Sequence, residues 1–109
     1  MDTIKSFQLE QTPVFVRWLK GLKDVQAKAA IVLRLKQVQA GHLGDFKNVG
    51  TGVSELRWHL GPGYRVYFCR RGQQIIVLLA GGDKSTQVRD ITRAKRLAKE
   101  YDHGQYNNI

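Results

Sequence analysis

The alternating pattern of apolar and charged side chains in residues 53–68 constrains the fold of this chain more than any other feature. On either side of residues 61–63, every second residue is apolar, which is the period of a strand with one buried face. The Gly-Pro-Gly sequence between the two runs is typical of a tight turn. The pattern therefore predicts a β-hairpin with a core-facing side, formed by Leu56, Trp58, Leu60, Val66 and Phe68, and a polar side, formed by Glu55, Arg57, His59, Arg65 and Tyr67.

The same pattern predicts a register for this hairpin. If the two apolar sets share a face, the numbers of paired residues must sum to an even value. The simplest closure pairs Leu60 with Tyr64 and leaves residues 61–63 as a loop, in which a glycine adopts the left-handed conformation. Because directly opposed side chains reach each other, this register predicts two contacts on the polar face, His59 with Arg65 and Arg57 with Tyr67. The alternative is that the polar face is an ordinary solvated sheet surface.

Composition indicates one small domain with an excess of positive charge. The 109 residues are 42% hydrophobic, which is enough for one core, so residues 1–109 are predicted to form a single domain. The 18 Lys and Arg residues outnumber the 9 Asp and Glu residues and give a net charge of +9. This excess favours a polyanionic partner, namely RNA, DNA, an acidic membrane surface or an acidic protein. The alternative is a protein that is merely basic.

Other features of the sequence limit the compartment. The single cysteine, Cys69, excludes an intramolecular disulfide framework and a cysteine-based zinc site. No apolar run approaches the ~20 residues of a membrane span, and the first residues lack the apolar core of a secretory signal. We therefore expect a cytoplasmic protein without membrane attachment. Residues 103–109 form a polar tail that is expected to be loose.

Four segments are predicted before the hairpin. Residues 4–10 form a short strand candidate. A first helix follows, with Thr12 as its cap and a proline at its first position, and it carries an apolar stripe at the i, i+3, i+4, i+7 spacing. A second helix begins at Asp24 and ends at Gly41. Residues 44–50 form either a weak strand or a loop.

The region after the hairpin completes an α+β fold. Residues 75–80 are apolar at every position, which predicts a strand inside the sheet, and Gly81 and Gly82 are expected to end it. The last helix is capped by Ser85 or Asp83. We predict an N-terminal β-strand and a helical hairpin packed on a curved antiparallel sheet, with a C-terminal helix and all helices on one side of the sheet. The apolar stripe predicted for the last helix consists of Val88, Ile91, Ala94, Ala98 and Tyr101.

The sequence lacks the patterns of metal, nucleotide or triad chemistry, so no metal or other cofactor is expected. Its three histidines lack metal-ligand spacing, no glycine-rich phosphate loop is present, and no Ser-His-Asp or Cys-His arrangement can be argued. RNA, however, carries its own nucleophile, the 2′-hydroxyl. Cleavage then needs a group that transfers protons, for which His59 is suited. It also needs cations around the phosphate, for which Arg57, Arg65 and Lys84 are suited.

Three motifs occur together in the second half of the chain: Glu55-Leu56-Arg57, residues 61–68 and residues 78–87, followed by Asp90-Ile91 and Ala94. In combination they resemble the RelE/HigB toxin superfamily, and within it the phage-derived addiction module killer protein group. The resemblance implies a RelE/ParE-like fold and a toxin of a bacterial type II toxin–antitoxin system. It implies a metal-independent endoribonuclease (an mRNA interferase) that cuts mRNA on the ribosome and inhibits translation. The implied partner is a cognate antitoxin, usually a helix-turn-helix DNA-binding protein, in an oligomeric complex with the toxin.

The resemblance also implies roles for individual residues. Arg65 matches an arginine that contacts the scissile phosphate, and Lys84 matches a basic position that supports the transition state. Arg57 and His59 fall, with a one-residue gap, where ribosome-dependent members carry paired basic residues. Some members place a catalytic tyrosine in the C-terminal segment, where this chain has Asp90. The predicted catalytic residues are therefore Arg57, His59, Arg65, Lys84 and Asp90, and the predicted RNA-binding residues are Arg57, Arg65, Lys84, Arg89 and Tyr67, the last also a substitute for the missing tyrosine.

Two alternative functions stay open on the sequence. A ParE-type toxin inhibits DNA gyrase and is not a nuclease, but that group generally lacks the full set of basic residues that this chain has at Arg57, His59, Arg65 and Lys84. The other alternative is a non-enzymatic module that binds nucleic acid or an antitoxin.

Overall fold

A single five-stranded sheet organises the chain in the computed structural model, which describes residues 6–102. In chain order the elements are β1 (Gln8–Gln11), α1 (Pro13–Gly21), α2 (Val25–Gln39), β2 (Phe46–Gly50), β3 (Val53–Arg57), β4 (Tyr64–Arg71), β5 (Ile75–Asp83), a 3₁₀ turn (Lys84–Thr86) and α3 (Gln87–Asp102). The predicted α+β class and the predicted element order are confirmed. The predicted strand at residues 4–10 lies at Gln8–Gln11, and residues 4 and 5, like the tail at 103–109, lie outside the described part.

The strands lie in the order β1-β5-β4-β3-β2. β2 to β5 are antiparallel, as predicted, whereas β1 pairs with β5 in parallel, so the sheet is mixed. β5 lies inside the sheet between β1 and β4, which explains why its side chains are apolar on both faces. None of the helices within residues 6–102 has the length and apolar character needed to cross a bilayer.

The predicted helix starts are confirmed by their side-chain caps. The Thr12 hydroxyl accepts a hydrogen bond from the backbone N–H of Phe15 (3.1 Å) and donates to the carbonyl of Leu79 (2.7 Å), so the cap also joins α1 to the sheet. The Asp24 carboxylate accepts from the backbone N–H of Ala27 (3.0 Å) at the start of α2. Gly41, at φ 102°, follows the end of α2 in a conformation that favours glycine.

Both faces of the sheet are covered, which corrects the prediction that all helices lie on one side. α1 and α2 pack on the face that presents Leu56, Val66 and Phe68. α3 packs on the opposite face, against a second cluster that includes Val53, Cys69 and Leu79. The physical reason is the composition of β4 and β5, whose consecutive apolar residues leave a second apolar face that only another layer can bury.

Within β3 and β4 the side chains lie on the predicted faces, but the two strands do not have the predicted register. Arg57 pairs with Arg65. The residue numbers of paired residues still add up to an even value, as predicted, but the sum is two lower than in the predicted register. β3 ends at Arg57, and the chain then forms a wider loop over residues 58–63. Gly61 and Gly63 both adopt positive φ, at 55° and 79°, and these two glycines permit the wider turn. Leu60, predicted to face the core, lies exposed in this loop.

β5 continues through Gly81 and Gly82 to Asp83, so the prediction that the glycines end the strand is wrong. These glycines serve close packing instead. A Cβ atom on Gly81 would lie 2.3 Å from the Trp18 ring of α1, and one on Gly82 would lie 1.8 Å from the Asp90 carboxylate of α3. The strand therefore carries no side chain where a helix approaches it on each face.

The apolar stripe of α3 differs from the prediction at its first position. Val88 is 83% exposed, while Ala94 and Ala98 are buried as predicted, and Leu97 is buried with them. The carboxyl group of Asp90, near the first turn of the helix, is also buried. Asp90 faces the sheet at Gly82, so Val88, two positions earlier in the helix, lies on the opposite side and faces solvent.

Candidate functional site

Four of the predicted catalytic residues line one open groove of about 590 Å³. Arg57 comes from the end of β3, Arg65 from the start of β4, His59 from the loop between these strands, and Lys84 from the residue after β5. Trp58 and residues 60–63 complete the lining. The structure therefore brings together these four basic side chains, which are separated by up to 27 positions in the sequence.

A buried carboxylate holds the two arginines in place. One oxygen of Glu55, Oε2, lies 3.0 Å from Nη1 of Arg65 and 3.4 Å from Nε of Arg57. The other oxygen, Oε1, accepts a hydrogen bond of 2.8 Å from Nε2 of Gln87 at the start of α3. The Glu55 side chain is 1% exposed and that of Arg65 is 11% exposed, so this ion pair is screened little by solvent. Glu55 thus fixes the position of both guanidinium groups.

The role of Glu55 was not predicted from the sequence. A signal was present, because Glu55 precedes Arg57 by two positions and therefore shares its strand face. The cross-strand pairing of Arg57 with Arg65 brings the second arginine to the same carboxylate. That pairing depends on the register of the two strands. The register predicted from the sequence pattern differs from the observed one by two residues.

Arg34 of α2 supports the loop that carries Trp58 and His59. Its guanidinium group donates hydrogen bonds to the carbonyl groups of Arg57, Leu43 and Asp45 and lies 4.9 Å from the centre of the Trp58 ring. Burial lowers the pKa of Arg34, and the nearby Asp45 carboxylate partly opposes this shift. The indole N–H of Trp58 also donates to the carbonyl of Ala30 (3.4 Å). These contacts attach the floor of the groove to α2.

His59 does not occupy its predicted position opposite Arg65. It lies in the loop beyond the end of β3, and its side chain is 81% exposed. Its Nε2 atom lies 3.9 Å from Oδ2 of Asp45. The imidazole therefore reaches the groove from the loop, where it is accessible to a ligand, rather than from the sheet.

Lys84 joins the end of β5 to the hairpin loop. Its backbone N–H donates to the carbonyl of Pro62 (3.4 Å), and its exposed side chain lines the groove. The preceding Asp83 caps the 3₁₀ turn, since its carboxylate accepts from the backbone N–H of Ser85 (2.8 Å). Ser85 and Asp83 were the two predicted caps of the last helix, and Asp83 instead caps the 3₁₀ turn that leads into α3.

Tyr67 and Asp90 are not part of the groove lining, which corrects their placement. Tyr67 is fully buried on the sheet face covered by α3, so its predicted direct contact with RNA conflicts with its position. Burial, together with the nearby carboxylates of Glu55 and Asp90, raises the pKa of the Tyr67 hydroxyl above its ordinary value. Asp90 is also buried and accepts a hydrogen bond from the hydroxyl of Thr86, so its role here is in packing α3 on Gly82.

Arg89, the remaining predicted RNA-binding residue, lies beside the groove rather than in it. Its side chain is exposed, with Nε 3.8 Å from Oδ1 of Asp90. Arg89 and Lys84 both line a second concavity of about 420 Å³, and Lys84 also lines the groove. Arg89 is therefore adjacent to the candidate site through Lys84.

The groove is suited to binding an anion and transferring a proton. Arginine donates paired hydrogen bonds to phosphate oxygens, and an imidazole both accepts and donates protons near neutral pH. Within residues 6–102, no group of three or more His, Cys, Asp or Glu side chains is arranged to hold a metal ion. The guanidinium, ammonium and imidazole groups that line the groove can supply electrostatic stabilisation and acid–base catalysis.

Comparisons with known proteins agree with the sequence resemblance. The chain is 47% identical over 95 residues to an uncharacterised protein of Haemophilus influenzae, a match that covers 87% of this chain and 96% of the relative. Its fold is similar to that of a mutant of the E. coli toxin RelE in the free state, with a TM-score of 0.66, 13% sequence identity, and coverage of 84% of this chain and 96% of the other. The predicted RelE-like fold is thereby confirmed. Residues 17–100, which are most of the chain, match the model of one family, and the chain belongs to that family, Phage derived protein Gp49-like (DUF891).

Proposed function

We propose that this protein is the toxin of a type II toxin–antitoxin system and cleaves mRNA on the ribosome without a metal ion. The observation that carries this proposal is the convergence of Arg57, His59, Arg65 and Lys84 on one groove. The similarity of the fold to a protein described as the toxin RelE supports it. The net charge of +9 is consistent with an RNA substrate.

In the proposed reaction, Arg65 and Arg57 hold the scissile phosphate through their guanidinium groups. His59 removes the proton of the adjacent 2′-hydroxyl, whose oxygen forms a new bond to phosphorus. Lys84 stabilises the negative charge that develops on the phosphorane oxygens. The bond from phosphorus to the 5′-oxygen breaks, and that oxygen takes a proton from a water molecule in the open groove. The proton held by the His59 imidazolium then returns to solvent. The products are a 2′,3′-cyclic phosphate and a 5′-hydroxyl end.

We propose a cognate antitoxin as the main protein partner, and a helix-turn-helix DNA-binding protein is the expected kind. An acidic segment of that antitoxin would be attracted to this basic protein and would compete with RNA for the groove. The toxin would act in the cytoplasm, where its ribosomal substrate is found.

The test compares the wild type with Arg65→Ala and Arg70→Ala in a purified translation system. The wild type should cut ribosome-bound mRNA and leave 2′,3′-cyclic phosphate ends. Arg65→Ala should lower the cleavage rate by about 10²–10³-fold, the usual effect of removing one donor to a developing oxyanion. Arg70→Ala, which changes an exposed arginine on the same strand outside the groove lining, should cleave at the wild-type rate.

Two outcomes would contradict the nuclease proposal. One is equal cleavage by Arg65→Ala and the wild type, with circular dichroism showing both to be folded. The other is growth arrest with intact mRNA and induction of the DNA damage response, which would instead support the gyrase-inhibiting alternative.

A further inference from the structure

The solvent-facing side of α3 carries a row of basic side chains that the candidate catalytic groove does not use. We call Arg89, Arg93, Arg96 and Lys99 the α3 track. All four are exposed, and they recur at intervals of three or four residues, which places them along one side of the helix. From the first to the last, the track extends about 15 Å along the helix axis.

The α3 track is continuous with the groove through a series of adjoining concavities. Lys84 lines both the groove and the concavity of about 420 Å³, which ends at Arg89. Arg89 also lines the next concavity, of about 710 Å³, with Arg93 and Arg96. Arg96 then lines a further one of about 550 Å³, with Lys95 and Lys99 among its other members. Each concavity shares a basic residue with its neighbour.

The linings of these three concavities have the chemistry of a phosphate-binding surface. They contain no acidic side chain, and their apolar members are Val88 and Ala98. The carboxylate of Asp90, on the same helix, is buried, and its Oδ1 atom lies 3.8 Å from Nε of Arg89, whose side chain is exposed. Guanidinium groups bind phosphate oxygens in pairs, and three of the four track residues are arginines.

We infer that the α3 track is a second RNA-binding site, which holds the phosphates of the strand that runs out of the groove. The inference rests on the proposed function, because the RNA strand that reaches the track is the one bound in the groove. Contacts of this kind recognise the backbone and not the bases. The track would therefore add affinity for longer RNA without adding sequence preference.

An acidic protein is the less favoured occupant of the track. Protein interfaces are usually anchored by aromatic or other large apolar side chains in a central pocket. The three concavities contain no aromatic residue, and Val88 is their one large apolar member. A basic and polar surface that adjoins the proposed phosphate-binding groove is better matched to a nucleic acid backbone.

The test uses two triple variants of the full chain. The first, Arg93→Gln/Arg96→Gln/Lys99→Gln, removes three track charges and leaves the predicted catalytic and RNA-binding residues unchanged. The matched control, Arg17→Gln/Lys20→Gln/Lys23→Gln, removes three exposed charges on and just after α1. The probes are 2′-O-methyl oligoribonucleotides of about 4 and about 16 nucleotides, lengths that bracket typical single-strand sites. They lack the 2′-hydroxyl nucleophile and so cannot be cleaved.

Binding of each probe is measured over a range of salt concentrations. The wild type and the control should bind the long probe with a steeper salt dependence than the short one. The track variant should lose about 2 from the slope of log K against log salt for the long probe, since each phosphate contact on a single strand contributes about 0.7. Its binding of the short probe should stay within about 2-fold of the control.

The outcomes separate this inference from the proposed function. An unchanged slope for the long probe in the track variant would overturn the inference that the α3 track binds RNA, even if the wild type cleaves mRNA. Equal binding of both probes by the wild type would also overturn it. Loss of affinity for a polyglutamate peptide with unchanged RNA binding would assign the track to an acidic protein. If the slope falls as expected but no cleavage is found, the track stands and the nuclease proposal fails.

Discussion

At the scale of single residues, the central feature is one buried carboxylate between two arginines. Arg57 and Arg65 are paired across β3 and β4, and without Glu55 their like charges would repel each other at close range. Glu55 contacts both, and Gln87 hydrogen bonds its other oxygen. Two guanidinium groups can therefore lie side by side in the groove, because their mutual repulsion is offset beneath the surface.

We predict that Glu55→Gln weakens both the fold and the function. The substitution keeps the size of the side chain but removes the charge, so the partly buried Arg65 loses its compensation. The free energy of unfolding should fall by about 1–3 kcal/mol, measured by urea denaturation. Cleavage should also fall, because the guanidinium groups are no longer held together.

Ser54→Ala is the control for the Glu55 prediction, since it alters the neighbouring residue on the opposite face of β3. It should change the free energy of unfolding by less than Glu55→Gln does and leave cleavage unaffected. If Glu55→Gln matched Ser54→Ala in both measurements, the carboxylate would not be positioning the arginines.

The candidate site could be predicted only in part from its residues. The alternation in residues 53–68 placed Arg57 and Arg65 on one strand face, and the structure agrees. The positions of His59 and Glu55 depend on the exact register, which the alternation leaves undetermined in steps of two. The position of Asp90 depends on how α3 rotates against the sheet, which is a property of packing.

At the scale of elements, Gly82 determines how α3 approaches the sheet. The Asp90 carboxylate lies where a Cβ atom on Gly82 would be, and the hydroxyl of Thr86 lies close by. Gly81 allows the same close approach by Trp18 of α1 on the other face. Two neighbouring glycines within a strand thus let a helix pack closely on each side.

We predict that Gly82→Ala is strongly destabilising although it adds only one methyl group. The added carbon cannot fit unless Asp90 and the start of α3 move, and the free energy of unfolding should fall by about 3 kcal/mol. Thermal or urea denaturation measures the change. A loss below about 1 kcal/mol would mean that α3 shifts easily on the sheet.

Gly21→Ala is the control for this prediction. It makes the same chemical change, but we expect the opposite effect on the free energy of unfolding. Gly21 is the last residue of α1, and no atom lies within 4 Å of the place its Cβ would occupy. Because alanine is the better helix former, this variant should be more stable than the wild type by about 0.5 kcal/mol.

At the scale of the whole molecule, the last helix is joined to the first strand. The hydroxyl of Tyr101 in α3 hydrogen bonds Glu10 in β1, 91 positions earlier in the chain. Arg71 of β4 lies 5.6 Å from the centre of the Tyr101 ring. These contacts close the second layer of the fold over the edge of the sheet where β1 runs parallel to β5.

This contact predicts a loss of stability at alkaline pH. The hydrogen bond to Glu10, together with burial, raises the pKa of Tyr101 to about 12. A tyrosine in the unfolded chain ionises near pH ~10, so the unfolded state releases its proton first. The contribution of Tyr101 to stability is therefore complete below pH ~10 and is lost as the pH rises towards the folded value.

Tyr101→Phe tests this prediction in urea denaturation at pH ~9 and pH ~11.5. The variant should lose about 1 kcal/mol at the lower pH and should show a smaller decline between the two pH values than the wild type. Part of the decline in stability should remain in both proteins, because the pKa of the buried Tyr67 is also raised. Equal declines in the two proteins would contradict the role of Tyr101.

The sequence by itself determined the class of the fold, the order of the elements, the caps of the first two helices and the faces of the hairpin within its two strands. These properties follow from local causes, namely side-chain periodicity and the hydrogen bonds of Thr12 and Asp24 with their near neighbours. The tertiary structure decided the register of β3 on β4, the placement of α3 on the second face and the parallel pairing of β1. Each of these depends on contacts between residues far apart in the chain. The convergence of four basic side chains on one groove is a consequence of the pairing of β4 with both β3 and β5.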